Sequence, residues 1–144
     1  MKLNYPIIAN LQGTSFDFMS QGNNGPIPKR ISFKTTEYDE IYNLVFGELN
    51  GLGKLDDTLN THNNDTEIII ATIISVIYVF TASHPSAWVF ASGKTAILVR
   101  FYKIMIQKYL EEIKDDFNVY EDIEIYWEKY GVKIPCDGFV VRRK

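Results

Sequence analysis

The amino-acid sequence predicts an α+β protein in which an antiparallel sheet, with elements in the order β-β-β-α-β-α-β-β, carries two helices packed on one face. Three features indicate this class. Strand-like segments joined by turns fill residues 15–50, a nearly uncharged apolar run covers residues 68–82, and a long amphipathic segment covers residues 95–117. Consecutive strands with turn-like connections favour antiparallel pairing, and two helices can cover the apolar face of the resulting sheet.

The N-terminal part predicts three strands. Ser15–Ser20 alternates polar and apolar residues, which is typical of a half-buried strand. The glycines, asparagines and proline of Gln21–Pro26 predict a turn, because they tolerate positive φ or interrupt a strand ladder. Ile27–Thr36 predicts a second strand. Ile41–Asn50 is apolar on both faces, so we expect this third strand to lie centrally in the sheet.

The run Ile68–Ala82 predicts the first helix. Its isoleucines and valines also suit a strand, but about fifteen apolar residues exceed the roughly four to eight of an ordinary strand. Asn64 and Glu67 have the spacing of a capping box before a helix. A membrane span is the alternative, since the run carries no charge. A span needs about twenty apolar residues, however, and Ser83–Ser86 interrupts this stretch, so we expect a buried core helix.

The remaining segments complete the predicted order. Ala87–Ala91 predicts a short buried strand, and Thr95–Phe117 predicts a helix with apolar residues on one side and cations on the other. Tyr120–Tyr130 alternates loosely and suits a strand, and Phe139–Val141 predicts a last short strand. No linker, repeat or low-complexity segment separates these elements, so residues 1–144 are predicted to form a single globular domain.

Composition and charge argue against several classes of protein. The chain has 46% hydrophobic and 23% charged residues, which is ordinary for a globular protein, and its net charge of −3 gives no global attraction to DNA. The single cysteine, Cys136, cannot form an internal disulfide, so a reducing compartment is expected. Because Met1–Pro6 lacks the apolar stretch of a signal peptide, we expect a cytoplasmic protein.

The start of the second helix is the leading candidate site. The turn that precedes this helix consists of Ser92, Gly93, Lys94 and Thr95. Free backbone N–H groups and the positive end of the helix dipole favour anions at such a turn. The side chain of Arg100 leans back toward the turn, where we expect it to grip an anion with two hydrogen bonds. The alternative is an ordinary N-cap with a solvated arginine.

A second hypothesis concerns nucleic acid. A basic stripe on one side of the second predicted helix could follow a phosphodiester backbone, and it consists of Arg100, Lys103 and Lys114. Three aromatic residues lie nearby in sequence and could stack on bases, namely Trp88, Tyr102 and Tyr109. The alternative is a solvated helix face with its aromatic residues in the core, which the acidic net charge favours. Contacts of Lys103 and Tyr102 with nucleic acid are therefore left open but not favoured.

The sequence predicts no metal site and no cofactor. His62 lies in a polar loop with several aspartates, and His84 precedes Pro85 at the predicted end of the first helix. Neither histidine has the spacing of a zinc site, and whether they converge with the loop carboxylates is left open. Cys136 has no histidine close in sequence, so we interpret it as a packed thiol rather than a nucleophile.

Several segments resemble a known family. They are Tyr42–Gly47, Pro85–Thr95, Arg100–Tyr102 and Phe139–Lys144. Through the motif Ala-Trp-x-x-Ala-x-Gly-x-Thr followed by arginine and tyrosine, the chain from about Ser15 onward is similar to a family of small proteins of unknown function that is common in Bacteroidota. The family motif has two arginines, and Leu98 occupies the position of the first. The resemblance implies a bacterial cytosolic protein and brings no established activity with it.

Three functions follow from these observations. A binding or regulatory module with an anion-binding helix start is ranked first, because no acid–base pair can be identified. The alternative is a toxin or defence component that acts on RNA as a metal-independent ribonuclease, with Arg100 and Lys103 at the phosphate. The third is a structural protein that forms homo-oligomers or binds a protein partner through exposed aromatic residues. No membrane partner is expected, and whether the protein is an enzyme is left open.

Overall fold

The computed structural model describes residues 3–57, 63–93, 95–120, 127–129, 131–132 and 138–144. The strands within them are β1 (Ile8–Ala9), β2 (Ser15–Gly22), β3 (Gly25–Thr35), β4 (Ile41–Leu49), β5 (Leu55–Asp56), β6 (Trp88–Ser92), β7 (Phe117–Tyr120) and β8 (Gly138–Arg143). The two long helices are α1 (Thr66–Ser83) and α2 (Ala96–Ile113), and residues 127–129 are also helical. The predicted α+β class is therefore confirmed.

The described strands form a mixed sheet in the order β1-β2-β3-β4-β6-β8-β7, with β5 paired to β4. This corrects the prediction of a wholly antiparallel sheet, because β4 and β6 run parallel. Ile41 lies opposite Trp88, and Leu44 lies opposite Ala91. The chain leaves β4, passes through β5 and α1, and returns in its original direction as β6. A connection that contains a helix is long enough for such parallel pairing.

The chain divides into two compact units, Met1–Phe33 with Val45–His84 and Lys34–Leu44 with Pro85–Lys144. The first unit contains α1, whose apolar side chains pack on the strands of that unit. Phe80 of α1 stacks on Phe33 with 3.9 Å between the ring centroids. By length and composition α1 could cross a membrane, but 56% of it is buried inside the fold, as in the core helix that the sequence predicted.

The predicted capping box before α1 is wrong by one residue. The N-cap is Asp65, and Asn64 before it has a left-handed φ of 58°. The carboxylate of Asp65 makes no capping hydrogen bond: its Oδ2 accepts a hydrogen bond of 2.5 Å from the hydroxyl of Ser20, and its Oδ1 is buried without a hydrogen-bond partner among the described residues. A tertiary contact thus replaces the local cap that the spacing of Asn64 and Glu67 suggested.

The second unit contains α2, which packs against β6 and β8. α2 ends at Ile113 rather than at the predicted Phe117, because Phe117 begins β7 and lies opposite Arg143 of β8. The two helices belong to different units, so the prediction of one two-helix layer is not matched as stated. Whether the whole chain behaves as a single domain stays a prediction.

Three smaller differences concern strands. The strand predicted over Tyr120–Tyr130 is partly wrong, because Tyr120 ends β7 and residues 127–129 are helical; residues 121–126 and 130 lie outside the described residues. β1 and β5, with two residues each, were not predicted. The predicted turn at Gln21–Pro26 is confirmed but tighter, since Gly22 of β2 already pairs with Gly25 of β3.

Candidate functional site

The junction between β6 and α2 has the predicted helix start. Thr95 is the N-cap of α2, and its hydroxyl accepts a hydrogen bond of 3.2 Å from the backbone N–H of Leu98. The N–H of Val99 donates to the carbonyl of Thr95 at 3.1 Å and begins the regular helix ladder. The backbone N–H groups of Ala96 and Ile97 precede that ladder, so they point out of the N-terminal end of α2.

Gly93 is needed because the chain passes very close to the first turn of α2. A Cβ atom added to Gly93 would lie 2.6 Å from the Cβ of Leu98 and 2.6 Å from the backbone nitrogen of Val99. Leu98 is buried in the core and cannot move aside freely. Any residue larger than glycine would therefore push the end of β6 away from the start of α2.

A surface cavity of about 490 Å³, which we call the α2 groove, begins at this junction and follows α2. Its described lining includes Gly93, Thr95, Arg100, Lys103, Ile104 and Gln107. The side chains of Arg100 and Lys103 are exposed. In the part of the chain that the structure describes, neither of these two cations is in an ion pair. The groove thus presents two positive charges beside the N-terminal end of a helix.

The structure brings together three of the five predicted anion-binding residues. Gly93, Thr95 and Arg100 all line the α2 groove. Ser92 is the last residue of β6, where its backbone pairs with Gly138 of β8. Lys94 lies outside the described residues.

Of the two predicted nucleic-acid contacts, only Lys103 lies in the groove. Tyr102 is 1% exposed, and its ring packs edge-on against Phe139 at a centroid distance of 6.1 Å. That ring therefore offers no face on which a base could stack. Trp88 is half-buried, and the guanidinium carbon of Arg142 lies 4.5 Å from the centre of its ring.

Charge is unevenly distributed along α2. Its first turn has no acidic residue, whereas Glu111 and Glu112 lie in its last turn. Nζ of Lys114 lies 2.6 Å from Oε2 of Glu111, and this hydrogen bond raises the pKa of Lys114. Both side chains of this pair are exposed. The N-terminal half of the exposed face is therefore cationic and the C-terminal end acidic.

The one histidine among the described residues, His84, has a structural position at the end of α1. His84 is the C-cap of α1; its ring stacks on Phe80 at 4.3 Å, and its Nδ1 lies 3.1 Å from the carbonyl oxygen of Phe80. This agrees with its predicted place at the end of the helix. His62 and Cys136 lie outside the described residues. Within those residues, no group of three histidines, cysteines or carboxylates is placed to hold a metal ion.

Sequence reasoning did not identify a buried ion pair in the first unit. Lys29 of β3 is 0% exposed, and its Nζ donates a hydrogen bond of 2.8 Å to Oε1 of Glu48 in β4. A signal was available, because Lys29 is in phase with the buried Ile31 and Glu48 is in phase with the buried Phe46. A charged residue at a core position of a strand indicates a buried partner.

A buried asparagine closes the hairpin between β2 and β3, and it too was not identified. Asn63 Oδ1 accepts a hydrogen bond of 2.6 Å from the N–H of Asn24. Its Nδ2 donates to the carbonyl of Gly25 at 2.9 Å and to Oγ of Ser20 at 3.0 Å. The partners of these bonds lie about forty residues apart in sequence, so no local pattern predicts the bonds.

Tyr5 joins the N-terminal segment to the same polar cluster. Its hydroxyl donates a hydrogen bond of 2.5 Å to Oδ2 of Asp65, and its backbone N–H donates to Oγ1 of Thr72 at 2.9 Å. The ring stacks on Phe18 at 5.7 Å. Burial, and then the hydrogen bond to Asp65, raise the pKa of Tyr5 above its usual value of 10.0. The polar side chains of this cluster thus bond to one another, although Oδ1 of Asp65 has no hydrogen-bond partner among the described residues.

These observations define the class of protein: an α+β fold with a mixed sheet and a cationic groove along one exposed helix. The chain belongs to the family of unknown function DUF6934, whose profile matches residues 1–144. This confirms the resemblance to a family of unknown function and extends it to the whole chain. The origin in Bacteroidota and the family motif stay predictions. No curated protein and no solved structure matches the chain.

Proposed function

We propose that the protein is a cytosolic binding module whose α2 groove holds an anionic group. The observation that supports this proposal most strongly is the lining of the groove, in which Arg100 and Lys103 lie with Thr95 at the N-terminal end of α2. Exposed cations beside a helix N-terminus attract carboxylates and phosphates. The ligand is an anion carried by a small molecule or by a partner.

Arg100 is the principal binding residue in this proposal. It follows Thr95 by five positions, which corresponds to about 7 Å along the axis of α2. Helical side chains lean toward the N-terminus, so the guanidinium can approach the free N–H groups of Ala96 and Ile97. A planar guanidinium binds both oxygens of a carboxylate or phosphate at once, which gives direction as well as affinity.

The composition of the groove favours binding over acid–base catalysis. Its described lining contains no histidine, cysteine or carboxylate. A general acid or base that works near neutral pH needs a pKa near the working pH, and arginine and lysine titrate far above it. The described lining can therefore hold and orient an anion, but it offers no group to move a proton at neutral pH.

The proposal is tested by titrating the ¹⁵N-labelled full-length protein with inorganic phosphate at low salt. We expect the amide signals of Ala96 and Ile97 to shift. Arg100→Ala should weaken binding about tenfold or more, because a hydrogen bond to a charged group contributes about 1.5–3 kcal/mol. Lys34→Ala, which removes an exposed cation of β3, is the matched control and should bind as the wild type does. Equal affinity of Arg100→Ala and wild type would refute the site.

Action on RNA is the second candidate, and Arg100 and Lys103 on one exposed face support it. Tyr102 is buried, however, so this candidate lacks the base-stacking surface that the sequence suggested. The test is growth of a bacterial host under tight induction of the wild type or of Arg100→Ala. Growth arrest by the wild type alone, at equal protein levels, would favour this candidate. Normal growth with both proteins would argue against it.

A further inference from the structure

Six of the exposed side chains of α2 and its C-cap form a single stripe along the helix. They recur at intervals of three and four residues, which keeps them on one side of a helix. This α2 stripe consists of Ile97, Arg100, Ile104, Gln107, Glu111 and Lys114. Ile97 is 73% exposed and Ile104 is 48% exposed, although isoleucine is normally among the most buried residues. Exposed isoleucines alone are common at protein surfaces, so the case for a contact surface depends on the charges beside them.

The charges of the α2 stripe match those of a second copy placed antiparallel to it. A two-fold axis midway between Ile104 and Gln107 brings Arg100 opposite Glu111 of the second copy, and the symmetry forms this pair twice. The same axis brings Ile104 opposite Gln107. Ile97 then meets the aliphatic stem of Lys114, which can cover apolar surface while its ammonium stays in water. Every position of the stripe thus meets a compatible position.

Parallel pairing of the two helices is disfavoured by the same charges. In a parallel pair, Arg100 would face Arg100 and Glu111 would face Glu111 of the second copy, and like charges at an interface oppose association. Within one chain Glu111 is paired with Lys114, but both side chains are exposed. An exposed pair of this kind contributes little, so the Glu111 carboxylate can turn to Arg100 of a neighbour.

We infer that two copies of the chain associate through antiparallel pairing of their α2 stripes. The inference rests on the proposed function, because it names the Glu111 carboxylate of a second copy as the anion that Arg100 receives. One helix from each copy buries less than the roughly 1,200 Å² of a standard interface, so the dimer is weak and reversible. In the dimer, the Glu111 carboxylate of the second copy and soluble anions would then compete for Arg100 in the α2 groove.

The test is sedimentation equilibrium of the full-length protein at low salt, from about 5 μM to about 1 mM, where a micromolar dimer dissociates on dilution. We expect a monomer–dimer equilibrium in the wild type. Arg100→Glu and Glu111→Arg should each weaken it about tenfold or more, since each places like charges opposite one another. The double variant Arg100→Glu/Glu111→Arg exchanges the two charges and should restore the wild-type dissociation constant.

A charge change elsewhere on the surface serves as the control. Lys34→Glu makes the same change of charge on an exposed residue of β3 and should leave the equilibrium unaltered. Any of three results would overturn the inference: a monomer at every concentration, a dimer that neither single change weakens, or a double variant that stays monomeric. Phosphate titration of Glu111→Arg, which keeps Arg100, tests the proposed function separately: binding there, with no wild-type dimer, leaves the groove intact as an anion site.

Discussion

The first unit and the second unit use charge in opposite ways. Lys29 of the first unit is enclosed, and Glu48 neutralises it at 2.8 Å. Arg100 and Lys103 of the second unit are exposed and, in the described part of the chain, outside any ion pair. A buried charge must have a partner within the fold, whereas an exposed cation is already stabilised by water. Lys29 therefore depends on Glu48 within the fold, whereas Arg100 and Lys103 are accessible from solvent.

The largest effect is expected from disruption of the buried Lys29–Glu48 ion pair. Lys29→Met leaves the carboxylate of Glu48 buried opposite an apolar side chain, so we expect a loss of about 3–5 kcal/mol in the free energy of unfolding. The measurement is urea unfolding followed by circular dichroism. Lys34→Met changes an exposed lysine of the same strand and should stay within about 0.5 kcal/mol of the wild type.

A double variant separates the effect of the charges from that of side-chain packing. Lys29→Met/Glu48→Leu removes both charges together, so it should recover most of the stability that Lys29→Met alone loses, because no unpaired charge remains. Equal losses in the single and double variants would show that side-chain packing, and not the ion pair, accounts for the effect.

The second test concerns the frame of the α2 groove rather than its charge. Gly93→Ala places a Cβ 2.6 Å from the backbone nitrogen of Val99, so the strand end and the helix must separate. We expect a loss of about 1–3 kcal/mol, as for other overpacking substitutions, measured by the same urea unfolding. Gly51→Ala is the control, because an added Cβ there meets open space and its φ is not left-handed. A Gly93→Ala variant as stable as Gly51→Ala would contradict the close approach.

Local patterns predicted the two long helices and the start of α2, because hydrophobic periodicity and capping residues are read from neighbouring positions in the sequence. Thr95 and Arg100 lie within one stretch of sequence, so their association follows from helix geometry alone. The parallel pairing of β4 with β6 could not be predicted in this way, since strand direction depends on the path of the intervening chain. The Lys29–Glu48 pair joins different strands. Its only signal in the sequence is that each charged residue occupies a strand position that faces the core. Tyr102 fitted both a core position and a base-stacking role, and its burial had to be observed.

The third test uses pH to examine the polar cluster of the first unit. The pKa of Tyr5 is raised in the folded protein, so the folded state holds the phenolic proton more tightly than the unfolded chain does. This contribution to stability is complete below the usual pKa of 10.0 and is lost as the pH rises through the higher folded value. Urea unfolding of wild type and Tyr5→Phe at neutral pH and near pH 11 measures it.

Tyr5→Phe keeps the ring on Phe18 but removes the hydrogen bond to Asp65. We expect it to be less stable than wild type by about 0.5–1.5 kcal/mol at neutral pH. The difference should shrink above pH 10, where only the wild type loses stability through this group. A difference that stays constant with pH would show that the hydroxyl titrates alike in the folded and unfolded chains.

The smallest expected effect is the most informative for the comparison. Arg100→Ala should change the free energy of unfolding by less than about 0.5 kcal/mol, because its side chain is exposed and in no ion pair among the described residues. The same variant should lose about tenfold or more in phosphate affinity. Lys103→Ala should likewise preserve stability. If Arg100→Ala instead destabilised the protein as strongly as Lys29→Met, Arg100 would be a structural residue, and of the two cations in the described lining Lys103 alone would remain to bind an anion.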